Sequence, residues 1–104
     1  ELKRMKPEAV LINVARGGVV DEAALIDALR AGAIRGAALD VFAEEPLPAA
    51  SPLWTVGPNV ILSPHISGFT QAYDERAMAL FAENLRRYVA GEPLLNVVDV
   101  ARGY

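Results

Sequence analysis

The sequence has 104 residues, a formal charge of −3 and no cysteine, which excludes disulfides, zinc–thiolate centres and thiol nucleophiles. With 53% apolar and 22% charged residues, it has the composition of one globular domain and not of a disordered chain. A pI near 5.0 argues against a nucleic-acid partner.

The charged opening, Glu1-Leu-Lys-Arg-Met-Lys-Pro7, lacks the apolar heart of a signal peptide. No apolar run approaches the roughly 18 residues needed to span a bilayer. A cytoplasmic protein that meets no membrane is expected, and no metal site is predicted. Leu2 and Met5 read as a helical turn closed by Pro7. Val10 to Ala15 is β-rich and nearly all apolar, which predicts a strand buried on both faces. It stops at the turn Arg16-Gly17-Gly18. Asp21 can cap a helix from Glu22 to about Ala31, with Leu25, Ala28 and Leu29 on one face and Gly32 ending it. Gly36 to Phe42 reads as a second buried strand. Strand, helix, strand in this order predicts a βαβ unit and a parallel pair.

Between Ala43 and Asn59, Pro46, Pro48, Pro52 and Pro58 forbid long regular elements, and Leu53-Trp54 is the expected apolar anchor of the loop. Val60 to Leu62 is a third β-prone run. Ser63-Pro64 ends it, because proline has no amide hydrogen for a central strand, and delivers the chain's only histidine, His65. Thr70 can cap a long helix reaching about Ala90, with Gly91 and Pro93 as its stop. The adjacent basic pair Arg86-Arg87 falls on this helix and reads as a solvated face. The tail from Leu94 to Tyr104 mixes apolar and charged residues and should lie against another surface. No G-x-G-x-x-G and no P-loop occurs.

Each predicted strand releases polar groups at its carboxyl end: Arg16 from the first, Asp40 and then Glu44-Glu45 from the second, His65 from the third. In open parallel sheets ligands bind outside those ends. An arginine there can hold a carboxylate by a two-pronged hydrogen bond. A carboxylate beside an imidazole stabilises its charged form and orients it as a proton donor. Together the groups suit reduction of a 2-keto acid, with the hydride coming from a cofactor because no side chain can supply one. Asp40 stands out, since a carboxylate within an apolar strand must find partners.

Three motifs carry a family resemblance. Leu11-Ile-Asn-Val-Ala-Arg-Gly-Gly-Val-Val-Asp21, Ala38-Leu-Asp-Val-Phe-Ala-Glu-Glu-Pro46 and Asn59-Val-Ile-Leu-Ser-Pro-His-Ile-Ser-Gly68 closely resemble the D-isomer-specific 2-hydroxyacid dehydrogenases, in order and through nearly the whole chain. The resemblance implies an α/β fold, a partial Rossmann-type parallel sheet with flanking helices. Residues 1–69 would be the C-terminal half of a dinucleotide-binding domain, and 70–104 a long helix and tail leading back to a substrate domain outside this sequence. It implies that Arg16 binds the substrate carboxylate, that His65 is the acid/base catalyst and that Glu45 pairs with it. By the same likeness Asp40 would hold the nicotinamide end of NAD or NADP, with the backbone at Val14, Ala15 and Arg16 and the loop His65, Ser67 and Gly68. Ala43 stands where many members carry a glutamate.

Members of that family are longer and have a glycine-rich pyrophosphate loop upstream. The 104-residue chain is therefore expected to bind NAD(H) weakly or not at all and to show no turnover alone. The function implied is reversible hydride transfer between NAD(P)H and a small 2-keto or 2-hydroxy acid, in an enzyme that is a homodimer at full length. The alternative is a non-catalytic, cofactor-sensing module like the corepressor branch of the same superfamily.

Overall fold

Three short strands order the first part of the chain: β1 (Val10–Asn13), β2 (Gly36–Leu39) and β3 (Val60–Leu62). They lie in the order β1-β2-β3, and both pairings are parallel. The computed structural model describes residues 1–102 and separates into two bodies, Glu1–Ser67 and a second that begins at Gly68.

In the first body, α1 (Glu22–Arg30) connects β1 to β2. Asp21 caps it, its Oδ1 accepting from the Ala24 amide at 3.0 Å, and Gly32 follows the helix in the left-handed region at φ 64°, as the Asp and Gly signals predict. Leu25, Ile26 and Leu29 of α1 form one buried cluster with Ile34, Ala37, Leu39, Phe42 and Leu53, against which Leu11, Val60 and Leu62 pack. Burial of such side chains is the main favourable contribution to folding, about 1.5–3 kcal/mol for each large one.

The sheet itself corrects one expectation. Side chains alternate between faces, and only the face bearing Leu11, Asn13, Ala37 and Leu39 meets the core. On the other face, Ile12 is 68% and Ile61 70% exposed, so β1 is buried on one side and not on two. An apolar run specifies that water is unwelcome on both faces; it does not supply the cover. The second strand is also shorter than read: its ladder ends at Leu39, and Asp40 to Phe42 continue as irregular but buried chain.

The proline-rich loop contains a short 3-10 turn, Pro52–Trp54, with Ser51 at its N-cap. Its buried anchor is Leu53, with Leu47 and Val56 partly buried against the same core. Trp54 lies largely exposed, its indole N–H donating to the Pro48 carbonyl at 2.9 Å, because the polar edge of the ring draws it to the loop backbone. The Leu2–Met5 signal becomes a single 3-10 turn, Leu2–Arg4.

The second body is built on α2 (Tyr73–Ala90), which ends at Gly91 in the left-handed conformation at φ 68°, as the glycine stop predicts. Thr70 is not its cap. Ala72 holds that position without a side-chain bond, and Thr70 contributes only its carbonyl, to the Tyr73 amide at 3.0 Å. The extra turn at 71–72 moves the helix start beyond reach of the hydroxyl. No residue of α2 is buried. The tail is tied back to α2 at one point, where Asn84 exchanges hydrogen bonds with the backbone of Leu95. Val97 and Val100 are exposed; the last two residues of the tail, 103 and 104, lie outside the described ones.

Candidate active site

The parallel register decides which polar groups become neighbours. Asn13 pairs with Leu39, and Leu39 with Leu62. One step further along, the Asp40 amide donates to the Asn13 carbonyl at 3.0 Å, the Ser63 amide to the Leu39 carbonyl at 3.0 Å, and the His65 amide to the Asp40 carbonyl at 2.8 Å. The three strand ends are therefore stitched together beyond the ladder proper, and the chains leaving them share one rim.

Two buried polar side chains shape that rim. Asn13, 6% exposed, donates from Nδ2 to the Arg16 carbonyl at 2.9 Å and accepts from the Ala15 amide at 3.1 Å. It holds the turn that presents Arg16. Gly17 completes this turn because a Cβ there would overlap the Phe42 carbonyl. Asp40, 2% exposed, accepts from the Ser63 hydroxyl at 2.5 Å, the Ile66 amide at 3.0 Å and the Ser67 amide at 2.9 Å. Burial alone would push its carboxyl up, but hydrogen bonds from Ser63, Ser67 and Ile66 outweigh burial and hold it well below the ordinary carboxylate range.

The imidazole has a partner. His65 Nδ1 lies 2.7 Å from Glu45 Oε2, while Glu45 Oε1 accepts from the Phe42 amide at 2.9 Å. These bonds, the one to His65 first, together with the charges of His65 and Arg16, lower the Glu45 carboxyl below its usual value. An ionised carboxylate can only accept. Nδ1 therefore carries a hydrogen, and Nε2 is left as the nitrogen that can gain or lose a proton. His65 itself sits at φ 56°, in the left-handed region that residues with a Cβ seldom adopt.

Of the residues singled out from sequence, Glu45 and His65 are brought into contact, and Arg16 is near enough for its charge to act on Glu45. The Arg16 side chain is exposed, with Nη1 donating to the Ala15 carbonyl at 2.6 Å. Glu44 is exposed and separate from this pairing. Val14 and Ala15 are exposed at the end of β1; Ser67 gives its amide to Asp40. Asn13 and Ser63 were not singled out in the sequence. Their signal was a polar residue at the last position of an apolar strand and just after one, the place where turn backbone needs partners. Beside the pair, Phe42, Leu47, Trp54 and Leu62 line an open apolar recess of about 580 Å³ that also touches Glu45 and His65.

The model for the D-isomer specific 2-hydroxyacid dehydrogenase NAD-binding domain matches residues 1–67. The chain belongs to this family. It is 50% identical over 101 residues to glyoxylate/hydroxypyruvate reductase B of Pectobacterium carotovorum, covering 95% of this chain and 31% of that one. It is 44% identical to D-3-phosphoglycerate dehydrogenase of Methanocaldococcus jannaschii, covering 96% and 19% of the two. Among solved structures, a D-isomer specific 2-hydroxyacid dehydrogenase from Xanthobacter autotrophicus Py2, in complex with NADPH and MES, superposes with a TM-score of 0.88 at 52% identity over 99% of this chain and 41% of that one. The chain thus spans 31% of the length of the first of these curated relatives. Among the described residues no helix is long and apolar enough to cross a membrane.

The residues present fit one end of a dinucleotide better than the other. At the rim, the exposed residues Val14 to Arg16 leave the carboxyl end of β1 and the His65 imidazole stands beyond that of β3. By contrast, the α1 N-terminus is filled by the Asp21 carboxylate and followed by Glu22, and the first turn of α2 carries Asp74 and Glu75. Acidic first turns repel phosphate.

Proposed function

We propose that this chain supplies the proton-transfer rim of an NAD(P)-dependent reductase acting on small 2-keto acids. The observation that carries the reading is the 2.7 Å contact between His65 Nδ1 and Glu45 Oε2 at the carboxyl ends of three parallel strands. Bound cofactor would supply the hydride. His65, charged at Nε2, gives its proton to the carbonyl oxygen as that oxygen gains electron density, and returns to the neutral imidazole; in the oxidative direction it takes the proton back. Glu45 stabilises the imidazolium and fixes the ring. Arg16, with guanidinium N–H groups to spare beyond its bond to Ala15, binds the substrate carboxylate. Val14, Ala15 and Ser67 line the nicotinamide end, and the acidic first turns of α1 and α2 do not hold the phosphates. The complete protein is a homodimer in this reading.

The relatives named glyoxylate/hydroxypyruvate reductase support a two- or three-carbon keto acid as substrate. The test is oxidation of NADH and NADPH, followed spectrophotometrically, by the complete product of the reading frame with glyoxylate and hydroxypyruvate. Turnover that falls by about a thousandfold in His65→Gln, within the usual range for a general acid, supports the assignment. Undiminished turnover removes His65 from the chemistry.

A further inference from the structure

Four hydrogen bonds to one residue bracket His65. Its own amide donates to the Asp40 carbonyl at 2.8 Å. The Ser63 hydroxyl on one side, and the Ile66 and Ser67 amides on the other, donate to the Asp40 carboxylate at 2.5, 3.0 and 2.9 Å. Nothing in the local sequence asks His65 to adopt φ 56°, a conformation disfavoured by its Cβ. Such a conformation persists where surrounding contacts over-determine it, and here those contacts converge on a carboxylate that is 2% exposed. Glu45 holds the ring; it does not hold the backbone. The two carboxylates thus divide the task, one fixing the peptide that carries the imidazole and the other its rotation.

We infer that Asp40 and Ser63 are positioning residues, which clamp the 63–67 loop so that His65 is held in its left-handed conformation with Nε2 aimed at the reacting oxygen. The inference rests on the reading of His65 as proton donor. It gives Asp40 a role beside the contact with the nicotinamide end that the family resemblance implies, since three of the roughly four acceptor sites of its carboxylate are taken within the protein and one is left for a ligand. Ser63 is the sharper handle, because its hydroxyl reaches Asp40 and leaves the loop amides untouched.

The experiment compares kcat, keto-acid KM and cofactor KM of the complete product of the reading frame with those of Ser63→Ala, Ser63→Thr, Asp40→Asn and His65→Gln. The clamp predicts that Ser63→Ala lowers kcat about tenfold with cofactor KM within about twofold, and that Ser63→Thr, which keeps the hydroxyl, restores most of the rate. Asp40→Asn, which presents amide hydrogens to loop amides, should lose about a hundredfold, the scale expected when a reacting group is misplaced by about 1 Å. A wild-type kcat in Ser63→Ala, alongside an inactive His65→Gln, overturns the clamp and leaves the function standing. A raised cofactor KM with unchanged kcat in Ser63→Ala and Asp40→Asn also overturns it, in favour of direct cofactor contact. Full activity in His65→Gln removes the function and the clamp together. If Asp40→Asn fails to fold, the Ser63→Ala and Ser63→Thr pair still decides the question.

Discussion

Asp40 in the first body and Glu83 in the second are both carboxylates held below their ordinary range, by opposite means. Asp40 is buried, and backbone amides and a hydroxyl that belong to a loop 23 to 27 residues away outweigh the cost of its burial. Glu83 lies on the surface of α2 and is lowered to about 2 by hydrogen bonds from Arg86 and Arg87; Arg86 is shared with Glu92 as well. The first arrangement is preorganised by the fold and shielded from ions. The second is a set of long side chains in water, screened by salt and of modest net value. A carboxylate that must define geometry to a fraction of an ångström belongs in the first kind of environment.

The largest expected effect lies in the core that makes such shielding available. Leu25, 1% exposed, anchors α1, and Leu25→Ala should cost about 2–5 kcal/mol in denaturant unfolding. Val89→Ala on α2, at a residue 79% exposed, should change stability by no more than about 0.5 kcal/mol. Equal losses at the two positions would erase the contrast between the bodies.

Next come the adjacent glycines of the Arg16 turn. A Cβ at Gly17 would overlap the Phe42 carbonyl, whereas one at Gly18 meets nothing within 4 Å among the described residues. Gly17→Ala should therefore destabilise by about 1–3 kcal/mol and raise the keto-acid KM by displacing Arg16. Gly18→Ala should stay within about 0.5 kcal/mol. Two harmless substitutions would mean that the turn is not held against Phe42.

Acid sharpens the comparison further. Folding lowers the Asp40 carboxyl from 3.8 and that of Glu45 from 4.5, so the unfolded chain takes up protons at a higher pH than the folded one. Their stabilisation is complete above these ordinary values and is lost as pH falls through the depressed ones. In acid titrations followed by circular dichroism, Asp40→Asn should remove part of the pH dependence below about 3.8. Glu45→Gln should act below about 4.5, more weakly because its pair with His65 is partly exposed. Identical acid profiles for wild type and Asp40→Asn would refute the role given to the buried carboxylate.

The smallest effect belongs to the surface lattice. Glu83→Gln should lower the stability of α2 slightly at low salt, and the difference should vanish at high salt. A salt-independent loss would show that Glu83 is shielded after all.

The element order, the βαβ unit, the Asp21 cap and the glycine stops after both helices were legible from spacing, because helix and strand periodicity and terminal capping are local rules. The pairing of Glu45 with His65 was implied by the family resemblance that three motifs carry; no periodicity indicates that residues 20 apart will meet at 2.7 Å. Trp54 and Thr70 were misread for related reasons. Each has the right chemistry for its expected role, but neighbouring backbone took the indole N–H of Trp54 and an added turn displaced the helix start from Thr70.

By itself the sequence determined which segments become strands and helices and which polar residues stand at their ends, since those choices depend on side chains a few positions apart. Only the tertiary structure decided that Asp40 and Ser63 come level, that the Asp40 carboxylate accepts three loop hydrogens, that His65 is bent into the left-handed region and that one sheet face stays open. Those outcomes follow from the register of parallel strands, which places distant residues side by side and can be read only once the strands have paired.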